Sequence, residues 1–335
     1  MLKELLAEEQ PVVYRALKTA AEENRISSAY LFTGPAGTPK HEAAVLLAET
    51  IFCPEHGLAC ESCETCRRVR EGLYADFRWI DGSAGSISKE TVDALQADFA
   101  KTAIEEGSGQ KVYVLENAEN MSISAQNSIL KFLEEPSEGV TAILTTDNIH
   151  RLLPTIISRC TMIPFVPLSA EERMKKAADE GIDEDDAYFL SQLGRNAEEM
   201  KTLCESDMYR NALEMLKQYL NLSGMRRNEL AVDFEFSWKS RLSSRDAAKK
   251  ENMFLIGAFL DLLSLYAHDV ILRHEAGPAW YRNAVMNAQG KAEDYAGWIM
   301  IAKEQRDRVN KYNDLNLVLA QTIYRLEEYN RDHRI

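Results

Sequence analysis

The chain has 335 residues, 45% of them apolar and 27% charged, with a formal charge of −14. That length accommodates two or three domains, and the negative charge excludes a protein that grips nucleic acid unaided through a broad basic face. No apolar run reaches roughly 18 residues, so no membrane span is expected.

Residues Met1 to Glu9 are amphipathic and acidic, unlike a signal peptide, which points to the cytoplasm. Residues 11–24 then place Val13, Ala16, Leu17 and Ala20 on one helical face. Tyr30 to Thr33 reads as a buried strand, followed by a Gly-rich turn. Lys40 heads a helix with Ala43, Ala44, Leu47, Ala48 and Ile51 at helical spacing. Strand, Gly-rich turn and helix is the layout of a P-loop, whose backbone N–H groups cradle phosphates. Gly34, Gly37 and Lys40 are its candidate nucleotide-binding residues.

The pattern G-x-x-x-x-G-K-[ST] is broken twice. Pro39 stands where the second Gly belongs, and His41 where the Mg²⁺-binding hydroxyl belongs. Proline removes an N–H from the cradle, though it also suits the first helical position, N1. Imidazole is a poor ligand for the hard cation Mg²⁺. The expectation is an ATPase-shaped domain with damaged nucleotide chemistry.

Cys53, Cys60, Cys63 and Cys66 follow, in the spacing C-x6-C-x2-C-x2-C. Four thiolates suit a closed, structural tetrahedral Zn²⁺ site. Disulfides fit a reducing compartment less well, and the same spacing also serves iron–sulfur clusters. Cys160 and Cys204 stand apart and read as buried small apolar residues.

Phe77 to Asp81 is a second strand candidate. Ser88 can cap a helix that buries Val92, Leu95 and Phe99. Gly107 to Gly109 is a turn, and Lys111 to Glu116 a third strand. This strand ends in Glu116-Asn117, where an ATPase needs an Asp for Mg²⁺ and then a Glu to polarise water. Asn117 is a poor base. A helix from about Ser122 to Glu135 stops at Pro136. Val140 to Thr146 is a fourth strand, a short helix spans Ile149 to Ile157, and Cys160 to Phe165 is a fifth strand. Strands alternating with helices predict a parallel sheet covered on both faces.

Beyond Pro167 helices dominate. Ser169 and Glu172 form a capping box, Asp183 to Asp186 opens another helix, and long helices span Met253 to His274 and Leu315 to Tyr329. The expected domains are 1–167, α/β with a metal module at about 53–66; 168–206, a small helical lid; and 207–335, all-α.

Several stretches carry a resemblance: Ala29-Tyr-Leu-Phe-Thr-Gly-Pro35, Ser128 to Pro136, Ala142 to Thr146, and Leu153-Pro-Thr-Ile-Ile-Ser-Arg-Cys160. Together they resemble the clamp-loader branch of the AAA+ ATPases, and the cysteine module is similar to the zinc module of its bacterial members. Asn313 to Gln321 is similar to the start of the last helix of their collar domains. The broken loop and Glu116-Asn117 point to the non-hydrolysing stator class rather than the ATP-hydrolysing gamma/tau class. The resemblance implies a subunit of a five-membered ring with gamma/tau and delta subunits as partners. That ring loads a sliding clamp on primed DNA, which the chain meets only as part of the complex. It also implies structural zinc on the four cysteines, a C-terminal oligomerising collar, a remnant Lys40, and Arg159 as an arginine finger for a neighbour's ATP. The alternatives are a working gamma/tau-like ATPase and a redox or metal-transfer protein built on the cysteines.

Overall fold

A computed structural model describes residues 1–83, 85–99, 109–194, 196–222, 237–238, 249–309 and 314–333. Gly107 and Ser108 of the expected turn, and Asn313 at the head of the last-helix motif, lie outside them. The chain divides into two units, Met1–Leu168 and Ser169–Ile335.

The first unit runs α1 (Leu2–Glu9), α2 (Pro11–Glu22), β1 (Ala29–Thr33), α3 (Lys40–Phe52), α4 (Glu64–Arg70), β2 (Phe77–Asp81), α5 (Lys89–Phe99), β3 (Lys111–Glu116), α6 (Ile123–Glu134), β4 (Val140–Thr146), α7 (Pro154–Ile157) and β5 (Thr161–Pro164). The strands form one five-stranded sheet in the order β2-β3-β4-β1-β5, with every pair parallel. Alternation along β1 explains the two cores. Tyr30 and Phe32 join Leu6, Val13, Leu17, Ala43 and Leu47 on one face. Ala29 and Leu31 join Val92, Leu95, Ala125, Ile129 and Ile156 on the other. Burial on both faces is why these strands read as continuous apolar runs.

Local signals set the helix ends. Ser88 Oγ accepts Thr91 N–H (3.2 Å) and Ser122 Oγ accepts Ala125 N–H (3.1 Å). Glu135, before Pro136, has left the helical region at φ −125° and ψ 68°. The short helix expected over Ile149 to Ile157 is broken into a 3₁₀ turn, Ile149–Arg151, and the single-turn α7, with Pro154 starting afresh.

The second unit is helical among the described residues: α8 (Ala170–Asp179), α9 (Glu184–Leu193), α10 (Ala197–Cys204), α11 (Asp207–Leu222), α12 (Lys249–Leu272), α13 (Ala279–Met286), α14 (Ala296–Val309) and α15 (Leu315–His333). Ser169 and Glu172 make the expected capping box, and Asp183 caps α9 through Asp185 N–H (3.0 Å). By length and composition α12 is apolar enough to cross a membrane, but 67% of its most apolar window is buried inside the unit. It is the axis of one core that includes Phe189, Tyr219, Phe259, Trp298 and Ile323.

Candidate nucleotide loop and metal centre

In a parallel sheet, ligand-facing loops leave the C-terminal strand ends. Here the loop after β1, Glu116 ending β3, and Thr146-Asp147 ending β4 meet at that edge. Gly34 N–H donates to Thr146 O (3.2 Å), tying the loop to β4. A Cβ at Gly34 would stand 2.6 Å from Phe165 O, so only glycine fits. Gly37 holds φ +84°, a left-handed conformation that favours glycine.

Lys40 does not project into solvent. Its Nζ lies 2.8 Å from Gly34 O, 2.7 Å from Pro35 O, 2.8 Å from Thr38 Oγ1 and 2.9 Å from Asp147 Oδ1, and the side chain is 7% exposed. An ammonium has three donors, so this loop saturates its own lysine. Asp147 is held in turn, its N–H donating to Glu119 Oε1 (3.0 Å).

Pro39 occupies the N-cap of α3 rather than the first helical position expected for it. With φ −76° and ψ 53° it forms an inverse γ-turn, in which Lys40 N–H donates to Thr38 O (2.7 Å). Across residues 34–40, Pro35 and Pro39 have no N–H, and those of Gly34, Thr38 and Lys40 go to carbonyls. Within residues 34–40 that leaves only the N–H groups of Ala36 and Gly37 for a phosphate.

His41 Nδ1 lies 3.2 Å from Glu116 Oε1, and Trp79 Nε1 donates to Glu116 Oε2 (3.0 Å). The imidazole also packs on Trp79 with ring centroids 4.5 Å apart. The Glu116 hydrogen bond raises the His41 pKa above its ordinary value, against burial, which lowers it. Asn117 adopts the left-handed conformation (φ 52°, ψ 51°), which Asn tolerates better than most residues. Its N–H donates to Thr145 Oγ1 (3.1 Å) and its amide reaches Asp81 Oδ1 (3.4 Å).

Arg159 lies at the other end of the sheet. Tyr30 of β1 pairs with Thr161 of β5 and Thr33 with Pro164. Arg159 therefore precedes the strand whose neighbour leads into the loop, on the order of 10 Å or more from it. Its Nη2 contacts Glu134 Oε1 (2.5 Å) and its Nη1 donates to Thr155 O (2.9 Å).

The four cysteines do come together. Their Sγ atoms all lie within 4.8 Å of one another, with Cys53–Cys60 at 3.8 Å and Cys60–Cys66 at 4.0 Å. Four sulfurs each about 2.3 Å from a tetrahedral Zn²⁺ stand about 3.8 Å apart, so the cage fits such an ion. Cys63 N–H donates to Cys60 Sγ (3.3 Å) and Cys66 N–H to Cys63 Sγ (3.4 Å), which orients the sulfurs. Backbone hydrogen bonding from Ser62 lowers the Cys60 thiol to about 6, while burial raises Cys66. Cys160 and Cys204 are half-buried rather than fully buried, and burial pushes Cys160 up to about 11.

Sequence reasoning missed Asp147, Trp79 and Glu119. The available signal was Asp147 itself, a carboxylate directly after a strand of the same sheet.

The sequence profile described as DNA polymerase III, delta subunit, matches residues 9–169. The DNA polymerase III subunit delta-prime of Bacillus subtilis is 29% identical over 322 residues, covering 95% of this chain and 96% of that one. The chain is thus similar to clamp-loader subunits of DNA polymerase III, to delta-prime over nearly its whole length. Subunit tau of B. subtilis is 32% identical over 222 residues, 64% of this chain and 37% of that longer protein. A solved DNA polymerase III gamma subunit-related protein from Thermotoga maritima is 17% identical and covers 94% of this chain and 99% of that one, with a TM-score of 0.44.

Proposed function

We propose that this chain is the non-hydrolysing, delta-prime-type stator of a cytoplasmic replicative clamp loader. It assembles with gamma/tau and delta subunits and helps place the sliding clamp on primed DNA, which it contacts only within the complex. The observation that carries this is the self-liganded Lys40. In a working P-loop the lysine reaches the β- and γ-phosphates, whereas here four oxygens of its own unit hold it. The His41–Glu116 pair supports the same reading, because the two positions that hold Mg²⁺ in an ATPase hold each other.

Arg159 supplies the active contribution. The γ-phosphoryl transition state spreads negative charge over its equatorial oxygens, and a planar guanidinium in trans stabilises it. The position of Arg159, at the sheet end opposite the chain's own loop, favours a neighbour's nucleotide over its own. To act, Arg159 exchanges Glu134 for the phosphate. The four cysteines hold zinc, whose preference for a closed thiolate shell the cage satisfies and whose role is structural. Residues 168–206 serve as a lid and 207–335 as the collar.

Co-expression with gamma/tau and delta subunits tests this. The expected outcome is a stable complex whose DNA-stimulated ATPase needs Arg159 but not Lys40 of this chain. A working gamma/tau-like ATPase is the second reading, favoured by the similarity to tau. Lys40-dependent ATP turnover by the isolated chain would establish it instead.

A further inference from the structure

Glu61 lies inside the cysteine knuckle, between Cys60 and Cys63, with φ +61°. A side-chain-bearing residue rarely holds that conformation unless its surroundings impose it. Its side chain is 1% exposed and its carboxylate faces the start of α1. Leu2 N–H donates to Glu61 Oε1 (2.6 Å) and Lys3 N–H to Glu61 Oε2 (3.4 Å). These are the first two N–H groups of α1, which have no acceptor within the helix, and a carboxylate there also faces the positive end of the helix. The Leu2 and Lys3 N–H groups of α1 are thus capped from the knuckle, while Glu4 reaches back only to the Met1 ammonium (3.1 Å).

Arg70 closes the arrangement from behind. It donates to both oxygens of the fully buried Glu49 of α3 (2.8 and 3.1 Å) and to the Glu61 carbonyl (3.3 Å). Leu6 of α1 is fully buried in the core that contains Ala43, Leu47 and Cys66. The buried carboxylates of Glu49 and Glu61, bridged by the partly exposed Arg70, therefore join the knuckle to α1 and α3, which also share one apolar seam.

We propose that the metal-loaded knuckle is a latch for α1. This rests on the metal reading of the four cysteines. Ligation fixes Cys60 and Cys63, and with them the left-handed turn at Glu61 that aims its carboxylate at Leu2 and Lys3. Without the metal the turn relaxes to an ordinary conformation, the cap is lost and α1 detaches, uncovering the seam beneath Leu6.

Hydrogen exchange on the full chain, zinc-loaded and chelated, tests the latch. After chelation the amides of Leu6 to Glu9 should exchange at least tenfold faster, while those of β3 and β4 keep their protection. Unchanged exchange in α1, or equal loss in α1, β3 and β4, overturns the latch. A Glu61→Gly variant separates turn from cap, since glycine accepts the turn but brings no carboxylate. It should keep its metal and exchange fast in α1, and a protected α1 in that metal-loaded variant overturns the proposal. Linkage is reciprocal, so a chain lacking residues 1–9 should bind zinc more weakly by the same factor, and an unchanged affinity counts against it. Purified chain that takes up no metal overturns the metal reading and the latch together.

Discussion

His41 and Glu116 face each other across the edge of the sheet, with Nδ1 3.2 Å from Oε1. A cation site that needs both positions is thereby closed by one imidazole. Together with the saturated Lys40 and the missing N–H of Pro39, this predicts that the isolated chain turns over no ATP above background. Lys40-dependent hydrolysis on the order of 1 per second, as in slow kinases, would refute it.

The same pair predicts a pH dependence. The Glu116 hydrogen bond raises the His41 pKa above 6.5. A histidine with a raised folded pKa contributes stability that is fully present below its unfolded value and lost as pH rises through the folded value. Urea unfolding of wild type and His41→Gln at pH 6 and pH 8.5 should show the wild-type advantage shrinking at the higher pH. An advantage that grows would mean the imidazole is bound neutral.

For Arg159 two substitutions distinguish finger from tether. The Arg159–Glu134 pair is partly exposed, at 32% and 47% for the two side chains. Losing it should cost the isolated chain no more than about 1 kcal/mol. Arg159→Ala should leave assembly intact but lower the complex's ATPase and clamp loading, within an upper range of roughly 10³–10⁵-fold for one site. Glu134→Gln, which frees the arginine, should lower neither. Equal losses from both variants would make the ion pair, not the guanidinium, the functional element.

Cys63→Ser opens the thiolate cage and should abolish binding of one zinc per chain, lowering thermal stability. Elemental analysis and a melting curve check this, and iron in the wild-type protein would defeat the zinc assignment. Any assembled complex should keep its ATPase chemistry, because the shell leaves no position for substrate.

Much of this was legible beforehand where the determinant is local. The bounds of β2, β3 and β4 follow from apolar runs flanked by turn residues, and Ser122, Ser169 and Asp183 mark helix starts through their own side chains. The clustering of the four cysteines was legible because three of them share one knuckle. What escaped depends on pairings between distant segments. The strand order decides that Asp147 comes beside Lys40, and 106 residues of chain separate neither their oxygen nor their nitrogen by more than 2.9 Å. Pro39 was misplaced by one position because its γ-turn depends on the loop being closed around Lys40.

The order of strands has a consequence for synthesis. β1, the second strand from one edge, lies between β4 and β5, with Ala29 opposite Ala142 and Tyr30 opposite Thr161. A ribosome adding roughly 5–20 residues per second makes β1 some 5–20 s before its first partner emerges. During that interval Tyr30, Leu31 and Phe32, all but fully buried in the finished protein, are without a sheet. The nascent chain passes through a stage that needs shielding, and slow translation between residues 34 and 140 would lengthen it.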